Sequence, residues 1–141
     1  MPRRNDVGEA DLERFAALHA AVQQAWNEGD LEALRRLTTP AMAAWFEGEI
    51  ERLAREGLRN VVAGVAFLAA EPREARREGD TEYATALLRW RALDYLVRTQ
   101  GAQAEPEAVG GDPRTPVEIE EMWTFARRGE GDWRLSAIHQ V

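Results

Sequence analysis

The chain has 141 residues, 45% hydrophobic and 30% charged, which is the make-up of one ordinary globular domain with enough length for a core. It contains no cysteine, which excludes a disulfide framework and a thiolate metal site. A net charge of −7, with all 18 basic residues arginine, argues against a nucleic-acid-binding role.

Residues 1–10 lack the apolar core of a signal peptide and read as a flexible lead-in to a single domain over residues 11–141. Asp11 is placed to cap a first helix, whose stripe is Leu12, Phe15, Leu18, Val22 and Trp26 at three- and four-residue steps. That helix ends near Asn27, with Gly29 to stop it. Asp30 caps a short second helix carrying Leu31, Leu34 and Leu37. Thr39-Pro40 opens a third, with Met42, Trp45, Phe46, Ile50 and Leu53 on one side and Gly57 at its close.

The pattern then turns to strands. Leu58 to about Glu71 has apolar residues on both faces around Val65 and Phe67, as in a strand with little free surface. Within it, Val61 to Ala70 is the longest apolar run and is far too short to span a bilayer, so the chain as it stands reads as soluble. Glu71 to Glu82 mixes both charge signs, reads as a solvated strand end, and contains the turn signal Gly79-Asp80. Thr81 to Arg98 is the longest strand candidate. Thr99 to Pro116, with its prolines and glycines, predicts a long mobile loop. Val117–Arg128 and Trp133–Val141 alternate around Gly129 and Gly131, the signature of a hairpin, with Glu121 interrupting the apolar face. Helices first and four meandering strands after predict an α+β fold with an antiparallel sheet.

Ala25-Trp26-Asn27-Glu28-Gly29-Asp30-Leu31 and the following Leu34 to Met42 resemble the helix pair of the Tim44-like domain family. Ala84-Thr85, Leu88-Arg89-Trp90, Glu121 to Phe125 and Trp133 to Ile138 continue the likeness, which runs from about Asp11 to Val141. That family is typified by the matrix-side domain of the mitochondrial inner-membrane import-motor subunit, and the likeness is strongest to bacterial members. The resemblance implies a curved sheet wrapped by helices around an apolar cavity, the cone of the nuclear transport factor two-like superfold. It also implies a non-enzymatic binding module on the cytoplasmic side of, or peripheral to, the inner membrane. Its partners would be a lipid or acyl ligand, or a preprotein, membrane-bound or unfolded polypeptide. Relatives usually carry a transmembrane or glycine-rich segment ahead of the domain, which this chain lacks, and His139 stands where the family more often has Gln.

The aromatic residues have two readings. Trp26, Trp45, Phe46, Phe67, Trp90, Tyr95, Trp123 and Phe125 are either plain core or, in part, the wall of a ligand cavity. Trp45, Phe46, Trp90 and Trp123 are the leading wall residues. An alternative places acid–base chemistry of a hydratase or isomerase type on His139, Glu121 and Asp94, although no dyad spacing identifies a catalytic residue. His19, beside Phe15 and Val22 on its helix, reads as a boundary residue. A further alternative is a structural subunit whose open sheet face forms a homodimer. No metal or phosphate-loop motif is present, so neither a metal nor a cofactor is expected. Arg89 and Arg91 with Glu118 and Glu120 read as cross-strand ion pairs.

Overall fold

A computed structural model of the chain describes residues 7–99 and 108–141. Three helices, α1 (Glu9–Glu28), α2 (Leu31–Leu37) and α3 (Pro40–Arg55), precede all the strands. These are β1 (Leu58–Glu78), β2 (Thr81–Arg98), β3 (Ala108–Gly111), β4 (Val117–Arg128) and β5 (Arg134–Gln140). The sheet is an antiparallel meander in the order β1-β2-β4-β5. β3 pairs with Tyr95–Val97 of β2, end to end with β4, which covers Thr81–Ala92 on that same edge. The α+β class and the helices-on-sheet layering follow the sequence reading.

The helix signals translate closely. Asp30 Oδ1 accepts the Ala33 backbone N–H at 3.0 Å and starts α2, while Thr39-Pro40 starts α3. Asp11 does not cap α1. The cap is Gly8, three residues earlier, and Asp11 sits in the first turn, accepting the Gly8 N–H at 3.2 Å and the Trp133 indole N–H at 3.1 Å. Thr39 donates its backbone N–H to Leu135 at 2.9 Å, which pins the α2–α3 junction onto β5.

Two strand expectations need correction. β1 runs past Glu71 to Glu78, straight through Pro72, because it is an edge strand that pairs with β2 alone and has a bulge between Pro72 and Glu74. Nor does it have little free surface: Val65 and Leu68 are exposed. Bulges between Ala63 and Ala66, and between Phe67 and Ala69, curl the strand. Gly64 at φ 61° supplies the left-handed step that the first of them needs. The second correction is β3, which forms inside the stretch expected to be a loop. A side chain at Gly111 would stand 2.4 Å from the Asp94 carbonyl oxygen, so only glycine lets β3 come up against β2. Residues 100–107 of that stretch, with the mobility expected there, lie outside the described residues, as does most of the lead-in.

The core sits between α1 and the inner face of the sheet. Phe15 stacks on Phe125 with ring centroids 4.0 Å apart, and the Trp133 edge meets Phe15 at 5.3 Å. Leu18, Leu34, Leu88, Trp123 and Leu135 are fully buried around them. Among the described residues, no helix is long and apolar enough to cross a membrane.

Candidate functional site

Where α1 and α3 splay apart over the middle of the sheet, they leave an open cleft of about 350 Å³. Its helical wall is Val22, Gln23 and Trp26 from α1 with Trp45 and Phe46 from α3. Its floor is Asn60 and Val62 of β1, Trp90 and Asp94 of β2, Ile119 and Glu121 of β4, and Ile138 and Gln140 of β5. The alternation of each strand sends these residues inward. The third-helix stripe has a second consequence: Phe46 is buried, whereas its neighbour Trp45 is 54% exposed at the cleft mouth. The two rings meet edge to face at 5.3 Å.

The polar groups of the cleft are held in a defined arrangement. The Trp26 indole donates to Asn60 Oδ1 at 2.9 Å, and Asn60 Nδ2 donates to Asp94 Oδ1 at 2.8 Å. At the other end, Glu121 Oε1 accepts the indole N–H groups of Trp90 at 3.2 Å and Trp123 at 3.0 Å. Its Oε2 accepts Gln140 Nε2 at 3.1 Å. This explains a carboxylate interrupting an otherwise apolar face: it satisfies two indole donors that hydrocarbon packing would leave unpaired.

The expected site residues therefore separate. Trp45, Phe46 and Trp90 line the cleft. Trp123 and Phe125 are fully buried in the core, and Phe67 packs half-buried against His19. Tyr95 lines an adjoining groove that shares Trp26, Trp45, Asn60 and Asp94 with the cleft. Of the acid–base trio, Asp94 and Glu121 enter the cleft. His139 is exposed and lies opposite Met122, one residue out of phase with the cleft residues Ile138 and Gln140. Asn60 and Gln140 are not among the expected site residues, and Trp26 stands only in the wider aromatic set, outside the leading wall residues. For Trp26 and Asn60 the readable signal was an indole on the first stripe and an amide at the head of an apolar strand.

His19 is not a boundary residue. It is fully buried, with Trp90, Trp123 and Phe67 ring centroids at 4.6, 4.8 and 5.4 Å. Neither ring nitrogen has a hydrogen-bond partner among the described residues, and burial lowers its pKa from 6.5 to about 4, so it is neutral at pH 7. Three tryptophan and phenylalanine rings from three strands, β1, β2 and β4, surround it, none of them near it in sequence. Among the described residues, no cluster of His, Cys, Asp and Glu could hold a metal ion.

The Tim44-like domain model matches residues 9–140, and the chain belongs to that family. Members are in general non-catalytic, membrane-associated modules. No curated protein sequence matches the chain. Among solved structures, the intermembrane-space region of the chloroplast protein ARC6 is similar with a TM-score of 0.57 at 11% identity, covering 99% of this chain and 100% of that one. A conserved protein from Planctomyces limnophilus gives a TM-score of 0.45 at 15% identity over 95% of this chain and 100% of that one. The first likeness is one of fold.

Proposed function

We propose that this domain is a non-enzymatic binding module that takes an apolar group into the cleft between α1, α3 and the sheet. The group is a lipid acyl chain, or an apolar side chain of a membrane-bound or unfolded polypeptide, met at a bacterial inner membrane. The observation that carries this reading is Trp45, a large aromatic left 54% exposed at the mouth of an aromatic-walled cleft.

The acid–base alternative is less well supported. Asp94 and Glu121 share the cleft without His139, and Glu121 is engaged by two indoles and an amide. A homodimer through the sheet is also less well supported, because the outer face carries exposed Arg89, Arg91, Glu118 and Glu120.

Liposome flotation and peptide binding test the proposal. Apolar burial is not screened by salt, whereas exposed charge contacts fade beyond about 10 Å at 0.1 M. Binding should persist at high salt and fall on Trp45→Ser, a substitution at an exposed position that leaves the core intact. Binding abolished by moderate salt yet indifferent to Trp45→Ser would place the interface on charges elsewhere.

A further inference from the structure

The charge of the cleft restricts what can occupy it. Among the described residues, its charged lining residues are Asp94 and Glu121, and no arginine lines it. Neither carboxylate forms an ion pair among the described residues; their partners are the neutral donors Asn60, Trp90, Trp123 and Gln140. The adjoining groove repeats the bias: it adds Glu49 and Glu56, and its Arg52 is already paired with both. In a chain with 18 arginines, an apolar cleft with carboxylates and no cation has a clear electrostatic preference. Indole faces add to it, since the electron-rich ring face attracts a cation and does so best on tryptophan.

The two carboxylates differ in readiness. Glu121 has both oxygens engaged. Asp94 has one side-chain donor, Asn60 on Oδ1, and the Trp26–Asn60–Asp94 chain fixes its orientation. Asp94 also stands where cleft and groove meet, with Trp26 and Trp45 lining both.

We infer that the cleft selects a ligand with a cationic ammonium head on an apolar body, the head beside Asp94 between Trp26 and Trp45. The body then runs over Phe46, Trp90 and Ile119. This rests on the proposed binding role of the cleft and adds the charge of what it binds.

The test uses three eight-carbon probes below their aggregation limits: octyltrimethylammonium, 1-octanol and octanoate, each titrated calorimetrically into the whole chain. The ammonium probe should bind about tenfold more tightly than the alcohol, with octanoate weakest. Asp94→Asn, whose amide oxygen still accepts from Asn60, should bring ammonium and alcohol to within about twofold. Should that variant melt early, Trp45→Ala at the exposed rim serves instead, and should weaken the ammonium probe more than the alcohol. Equal binding of ammonium and alcohol by the parent would overturn the cation preference while leaving an apolar cleft. A preference that survives both substitutions would overturn the placement of the head. No binding of any probe would overturn the cleft itself.

Discussion

Two aromatic regions lie side by side under the helices, and they are built to opposite ends. In the core, Phe15, Phe125, Trp123 and Trp133 pack ring on ring with essentially no exposed surface. In the cleft, Trp26, Trp45, Phe46 and Trp90 face an open space, and carboxylates rather than more hydrocarbon complete the wall. The boundary between the two is Trp90 with Glu121: one touches His19 on the core side, and the other ties Trp90 to Trp123. Aromatic content alone does not mark a binding site. What distinguishes the cleft is a large ring left exposed beside polar groups that are already oriented.

The comparison can be broken most severely from the core side. Trp123→Ala should destabilise the domain by about 3–5 kcal/mol, the range for a buried large aromatic, measured by chemical denaturation. An unchanged melt would remove Trp123 from the core. Nearly as large is the pH effect of His19. Its folded pKa of about 4 lies below the ordinary 6.5, so the unfolded chain takes up the proton first. Stability from this group is complete above about pH 6.5 and is lost as the pH falls toward 4, by at most about 3 kcal/mol. His19→Leu should flatten that part of the stability–pH curve; a variant with the parent's full acid slope would assign it to carboxylates.

At the boundary, Glu121→Ala strands two indole N–H groups and should cost about 1–3 kcal/mol, with Glu121→Gln costing less because one acceptor survives. Equal melts for both variants and the parent would show that water replaces the carboxylate freely. The smallest effects belong to the cleft rim and the outer face. Trp45→Ala should shift stability by no more than about 0.5 kcal/mol, despite removing as many atoms as Trp123→Ala. Arg89→Ala, which breaks exposed pairs with Glu120 at 3.0 Å and Glu118 at 3.7 Å, should cost under about 1 kcal/mol.

Much of this architecture is legible in the sequence, and the rest fails for identifiable reasons. The Asp30 cap acts on Ala33 three positions on, and Pro40 sets its own φ at the first position of α3, so local reading finds both helix starts. β2 and β4 have the expected bounds, because their alternation is long and one face is buried. The bound of β1 at about Glu71 falls short because Pro72 and mixed charge read as a solvated strand end, and both are features of the edge strand that continues to Glu78. β3 has no alternation to read; Ala108-Val-Gly-Gly111 is a strand only because Gly111 allows close approach to Tyr95. In the site, the break in alternation at Glu121 was visible, but its purpose was not. The indole of Trp90 reaches it from 31 residues away in sequence. His19 was misplaced for the same reason, as its cage is assembled entirely by tertiary contacts.

The most direct test follows the five tryptophan indole N–H signals in a nitrogen–proton correlation spectrum as 1-octanol is added. Trp26 and Trp45, on the cleft wall, should shift saturably together with Trp90. Trp133, buried against Phe15 and bonded to Asp11, should hold its position. A uniform drift of all five, or a saturable shift confined to Trp133, would contradict the claim that this cleft is where the domain binds.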